Sequence, residues 1–126
     1  MLKQSRKSGF TLLELLIVVI IVSILAAVAL PRFSKMTRRA RSAEAATSIG
    51  AILTAEVLYY QENEVFGGMG NLLVDLNTVN FTYSVTPTGS TNAVATASGA
   101  VTTTTGITVT GTVLSNGTQT ISTTGI

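Results

Sequence analysis

Cysteine, histidine and tryptophan are absent from this chain of 126 residues. Without Cys there is neither a disulfide framework nor a thiolate metal site, and without His the commonest general base and metal ligand is missing. Charge is scarce as well: 11% of residues are charged, against about 25% in ordinary soluble domains. A membrane-anchored enzyme would need a nucleophile with a base, or paired carboxylates. The candidates shrink to Glu56, Glu62 and Glu64, so no enzyme activity, cofactor or metal is expected. The length suits one domain and leaves no room for two independent cores.

What is present is strongly ordered along the chain. All eight basic residues lie at or before Arg41, and the 51 residues after Asp75 carry no charge while 17 of them are Thr. The formal net charge of +2 therefore says less than the segregation behind it.

Residues 1–9, MLKQSRKSG, hold Lys3, Arg6 and Lys7 and no apolar stretch. From Phe10 to Leu30 the only charge is Glu14. At 1.5 Å per residue such a run reaches about 30 Å, the thickness of a bilayer's hydrocarbon core. It exceeds the 7 to 15 apolar residues of a typical secretory signal, so a membrane-spanning helix is expected over 10–30. A carboxylate inside such a run costs on the order of 3 kcal/mol at the helix centre. Glu14 thus calls for a partner or a task, although a place near the helix start softens the cost by snorkelling and the N-terminal dipole.

The helical pattern continues over 31–66. Basic residues at 32, 35, 38, 39 and 41 precede an Ala-rich stretch in which Ala46, Ile49, Leu53, Val57 and Tyr60 form an apolar stripe opposite Thr47, Thr54 and Gln61. Gly67 and Gly68 give the first strong stop signal. Pro31 lacks an amide donor and is expected to kink or open the helix. Residues 67–126 change period to two. Val79, Phe81, Tyr83 and Val85 read as a strand, 87–92 as a turn, 93–97 as a short strand, 107–113 as a third, and Asn116-Gly117 as a hairpin into 118–122. The Thr run 102–105 reads as a loop or edge. The fold class expected is α+β: one long N-terminal helix whose apolar stripe is covered by a small antiparallel sheet.

A basic leader ending in Gly9, followed by FTLLELLIVVIIVSILAAVALPRF, resembles the signature of type IV pilins and of the pseudopilins of type II secretion. The resemblance implies a class III leader, 1–9, cut between Gly9 and Phe10 by a prepilin peptidase that also methylates the new Phe10 amine. It implies that Glu14 pairs with the Phe10 amine of a neighbouring subunit, which answers the burial cost noted above. It places Pro31 near a helical stretch that loosens on packing, although Ser23 stands where many relatives have Gly; a purely structural Pro31 stays open. The expected partners are further copies in a helical homopolymer, the peptidase, the inner-membrane assembly platform, minor pilins, and membrane lipid before assembly. The expected location is the inner membrane, then an extracellular pilus serving adhesion, motility or DNA uptake. The alternative is a pseudopilin forming a short periplasmic piston. Major pseudopilins carry an acidic calcium loop near the C-terminus, and nothing after Asp75 is acidic.

Loss of the leader leaves five basic and six acidic side chains. The basic set 32–41 is expected to meet anionic headgroups and then acids such as Glu44, Glu62 or Glu64 of neighbours, rather than specific nucleic acid. Positive-inside counting alone would hold that end in the cytoplasm, opposite to what the resemblance implies. Asn80-Phe81-Thr82 and Asn116-Gly117-Thr118 match the glycosylation sequon. Asp75 alone makes no calcium site. The aromatics Tyr59, Tyr60, Phe66, Phe81 and Tyr83 satisfy stripe and strand periods and read as core.

Overall fold

The computed structural model describes residues 9–126, so Lys3, Arg6 and Lys7 of the leader lie outside the described residues. Helix α1 spans Leu12–Asn63, a 3-10 turn covers Met69–Asn71, and four strands follow: β1 Phe81–Thr88, β2 Asn92–Gly99, β3 Thr108–Leu114 and β4 Gln119–Thr124. The chain divides into two compact units, one reaching Ser34 and the other running Lys35–Ile126.

In the first unit α1 is built over 15–30 from Leu, Ile, Val and Ala with Ser23 the one polar residue, and is apolar on every side there. Its large side chains from Leu12 to Leu30 are all exposed, and the helix is long and apolar enough to cross a membrane. A helix apolar all round needs lipid or other apolar surfaces as its solvent. α1 continues through Pro31, which cannot donate to the carbonyl of Ala27. Ser23 turns its hydroxyl back onto the Val19 carbonyl at 2.7 Å, which satisfies it where no water is available.

The second unit holds the core. The buried face of α1 consists of Ser42, Ala45, Ile49, Ile52, Leu53 and Glu56. Ile49 and Leu53 of the expected stripe are fully buried, whereas Ala46, Val57 and Tyr60 flank the core half-buried. Thr47, Thr54 and Gln61 are exposed, as their line predicts. The helix stops at Asn63, short of the expected 66. Glu64 takes a left-handed conformation at φ 59°, and its N–H donates to the Tyr60 carbonyl at 2.8 Å. The cause is Phe66, which must return to the core: it is buried and stacks on Tyr60 with ring centroids 4.6 Å apart.

The sheet is antiparallel in the order β1-β2-β3-β4. Alternation puts Ala93, Ala95 and Ala97 of β2 and Val109, Gly111 and Val113 of β3 on the buried face. In register, Val85 faces Ala95, Ala95 faces Gly111, and Gly111 faces Ile121. The small Ala95 and Gly111 at the middle of this row admit the bulk of the helix. A Cβ on Gly111 would stand 2.3 Å from Ile49 Cγ2 and 2.9 Å from Leu53 Cδ1. Each fully buried Ile or Leu contributes about 1.5–3 kcal/mol by leaving water.

The strand bounds differ from those the sequence suggests: β2 and β4 run past 97 and 122 to Gly99 and Thr124, β3 is shifted by one residue, and both ends of β1 move. Val79 is exposed and precedes β1, while Pro87, read as turn, pairs with Ala93 within it. β1 lies at an edge, where a missing donor is tolerated. The Asn116-Gly117 hairpin forms: Gly117 N–H donates to the Leu114 carbonyl at 2.9 Å and Leu114 N–H to the Thr118 carbonyl at 3.0 Å. Gly117 has φ 82°, the left-handed residue of a three-residue loop ending in a bulge. Within the Thr run, Thr104 is buried, with its hydroxyl 2.8 Å from the Asn80 carbonyl and 3.0 Å from that of Val101.

Candidate functional site

The site begins where the apolar run begins. Gly9 and Phe10 are exposed and precede the helix. A Cβ on Gly9 would meet nothing within 4 Å, so the fold itself does not require glycine there. Phe10 is 88% exposed, an unusual state for a large aromatic in water.

Thr11 and Glu14 close a reciprocal cap on the first turn of α1. The Thr11 N–H and hydroxyl both donate to Glu14 Oε2 at 2.8 Å, and the Glu14 N–H donates to Thr11 Oγ1 at 3.2 Å. This is a capping box, Thr-x-x-Glu, which satisfies amides that the helix leaves without partners. The motif is legible in the sequence, where Glu14 stands out instead as a charge in an apolar run and, by the resemblance, as a partner for an amine. The cap directs the carboxylate toward the backbone immediately after Phe10. Phe10, Thr11 and Glu14 thus lie together at one helix end, with a negative group favoured by the helix dipole. Pro31 lies remote from them in sequence, within the same helix.

The basic cluster resolves into different roles. Arg38 reaches the carbonyls of Thr105 at 3.2 Å and Gly125 at 2.6 Å. Arg41 donates to Asn80 Oδ1, and Asn80 Nδ2 donates to the Glu44 carboxylate at 3.2 Å. Asn80 therefore bridges Arg41 to Glu44 within the chain. This corrects the expectation that Glu44 and the whole set 32–41 serve neighbours or lipid: Arg38 and Arg41 hold loops of their own unit, while Arg32, Lys35 and Arg39 remain exposed. It also sets the two sequons apart. The Asn80 amide nitrogen is engaged, whereas Asn116 sits exposed in its hairpin loop.

The burial of a second acid is not apparent from the sequence. Glu56 is fully buried, its Oε2 accepts the Gly67 N–H at 3.0 Å, and Oε1 has no hydrogen-bond partner. Burial raises its carboxyl above the ordinary value of 4.5, and the Gly67 amide opposes that only in part. Its only sequence signal is its position three and four residues beyond Leu53 and Ile52 on the buried face. Glu62, Glu64 and Asp75 are exposed, and among the described residues no group of three His, Cys, Asp or Glu side chains is placed to hold a metal. Tyr59 accepts a hydrogen bond from Asn71 at 3.0 Å.

A long apolar N-terminal helix that continues into a half covered by a four-stranded antiparallel sheet is the α+β arrangement of pilin-like subunits. Residues 4–30 match the family model described as the prokaryotic N-terminal methylation motif, with its class III leader, which is characteristic of type IV pilins and pseudopilins. The motif supports a type IV pilin-like or pseudopilin precursor, and in general it accompanies a membrane-anchored precursor, processing by a prepilin peptidase and assembly into filaments. No curated protein matches the chain.

Proposed function

We propose that this chain is the structural subunit of a type IV pilus, a helical homopolymer displayed outside the cell for attachment, motility or DNA uptake. The observation that carries the reading is the union of an exposed Gly9–Phe10 junction with a helix whose large apolar side chains from Leu12 to Leu30 are all exposed. Such a surface requires lipid first and other copies of itself afterward. In this reading 1–9 is the cytoplasmic leader, 10–30 the anchor and later the filament core, 31–66 the region that carries the helix onto the globular part, and 67–126 the outer part. The peptidase cuts between Gly9 and Phe10, where the absence of a side chain at Gly9 serves the enzyme's cleft rather than the fold, and methylates the Phe10 amine. An assembly platform in the inner membrane and minor pilins then add the subunit to the polymer.

Glu14 meets the Phe10 amine of the neighbouring copy, a pairing that offsets the cost of a carboxylate in apolar surroundings. Pro31 gives a place where the helix has one backbone bond fewer to lose. The pilus is preferred over the secretion piston because no acidic residue follows Asp75, which leaves no carboxylate set for a calcium loop of the kind the resemblance implies for major pseudopilins. Intact mass of the subunit from sheared surface filaments tests the reading. The expected chain begins at Phe10 with one added methyl group. Filament subunits that keep Lys3 to Gly9 would overturn it, and a gene deletion that stops protein secretion while sparing surface filaments would transfer the chain to the piston.

A further inference from the structure

The sheet has two edges, and they are treated differently. Beside β1 lies the segment that follows the helix. Phe66 N–H donates to the Gly89 carbonyl at 2.9 Å, the 3-10 turn Met69–Asn71 contacts β1, and Met69, Leu72, Val74 and Leu76 pack against the core. β1 also contains Pro87. β4 has none of these protections. Its sequence QTISTT has no Pro and no charge, five of its six residues are exposed, and no described strand lies beyond it. Natural edges are normally blunted by charge, Pro, a bulge or a cover, because unpaired backbone groups are a template for another strand.

The register identifies which groups are unpaired. Antiparallel partners alternate between bonded and non-bonded pairs. The alternation starts at the bonded Leu114 N–H to Thr118 carbonyl and continues through Thr112 with Thr120, Thr110 with Ser122 and Thr108 with Thr124. Gln119, Ile121 and Thr123 therefore turn both N–H and C=O away from β3. Their side chains share the face of Val113, Gly111 and Val109.

We infer that β4 pairs antiparallel with β4 of a second copy, about a two-fold axis at Ile121. Ile121 then exchanges both backbone bonds with its counterpart, and Gln119 faces Thr123 of the other copy in both directions. Ile121, 45% exposed in the single chain, meets its own kind across the axis, while Thr120 stands opposite Ser122. A second copy is the partner that fits because residues 76–126 carry no charge. Self-pairing opposes no like charges, and the edge offers nothing to an acidic or basic ligand. The contact is isologous, the same patch on both copies. Subunits within one helical filament are joined by heterologous contacts, so in the pilus reading this edge joins subunits of different filaments and bundles them side by side. The bundling step rests on that reading; the strand pairing does not.

Because the chain has no Cys, single thiols test the register. The full-length chain in detergent micelles would carry Ile121→Cys, or Thr82→Cys on β1 as the control, under mild oxidation with copper phenanthroline. Disulfide dimer is expected at least tenfold more from Ile121→Cys than from Thr82→Cys. Gln119→Cys and Thr123→Cys are expected to cross-link weakly alone and strongly when mixed. Adding Thr120→Lys and Ser122→Lys sets Lys opposite Lys and should abolish the dimer. Equal cross-linking at Ile121→Cys and Thr82→Cys, or no gain on mixing the Gln119→Cys and Thr123→Cys chains, would overturn the pairing. Register-specific dimers from a chain that yields no surface filaments would sustain the pairing and count against the pilus reading instead.

Discussion

The carboxylate of Glu56 accepts the Gly67 amide proton at 3.0 Å from a fully buried position on α1, tying the segment after the helix back onto the helix. One oxygen does this while the other has no partner, so the charged form is incompletely solvated by the protein. Desolvation raises the carboxyl above 4.5. A group whose folded value is raised favours the fold while it is protonated. Its stabilising contribution is therefore present at and below about pH 4.5 and lost as pH climbs through the raised value.

Glu56→Gln should consequently flatten the pH dependence of stability, with the variant more stable than the parent above the raised value and the gap closing toward pH 4.5. Glu56→Ala should be less stable at every pH, by about 1–3 kcal/mol, because the Gly67 amide is left buried without an acceptor. Thermal unfolding of the full chain in detergent between pH 4 and about pH 8 measures both. A Gln variant that tracks the parent across that range would show that the buried carboxylate does not titrate with folding.

Gly111 sets how closely α1 approaches the sheet. Gly111→Ala improves strand propensity yet forces Cβ against Ile49 Cγ2 and Leu53 Cδ1, and overpacking of this sort costs about 1–3 kcal/mol. The expected signature is non-additivity: Ile49→Ala destabilises the parent but costs less when Gly111→Ala is present, because the new methyl occupies part of the vacated space. Simple addition of the two losses in urea unfolding would mean that the helix and sheet shift apart instead.

Much of this architecture was legible in period and composition, and the gaps have physical causes. The apolar run, the α1 stripe at Ile49 and Leu53, and the turn at Gly117 rest on local rules, and each appears in the fold. The burial of Glu56 was not legible because an acid in an Ala-rich helix reads as surface; it depends on where Gly67 returns in three dimensions. Thr104 sits among identical neighbours, and nothing local distinguishes the one hydroxyl that meets Asn80. The strand assigned to begin at Val79 begins at Phe81, because alternation alone marks neither the Asn80 bridge between Arg41 and Glu44 nor the tolerance of an edge strand for Pro87. The roles of Arg38 and Arg41 required knowing which loops return beside the helix.

Glu14 carries two separable properties, an acceptor for the Thr11 cap and a charge for an incoming amine. Glu14→Gln keeps the acceptor and removes the charge. Thr11→Ala keeps the charge and removes the cap, at about 1 kcal/mol of local helix stability. If the charge drives assembly, Glu14→Gln lowers filament yield at least tenfold with membrane insertion intact, since loss of a charge makes insertion easier. Thr11→Ala is then the milder variant. Normal yield from Glu14→Gln would reduce Glu14 to a cap.

The last prediction concerns where the stability resides. Every buried residue, from Ser42 to Val113, lies in the Lys35–Ile126 unit, so a fragment lacking residues 1–34 retains the whole core and is expected to fold in solution. It has no disulfide and a core built largely from Ala and Val of β2 and β3 under a few large helix residues. Domains of this size bury a smaller share of their surface than larger ones, and their margin is only several kcal/mol. Assembly adds stability by mass action, about 2.7 kcal/mol when binding partners stand at a hundred times their Kd. At about 4–8 °C per kcal/mol for a domain of this length, intact filaments should melt about 10 °C or more above the fragment. Calorimetry of the two in the same buffer decides it. Equal melting temperatures would mean that the Lys35–Ile126 unit gains nothing from its neighbours and that filament contacts are confined to the apolar helix.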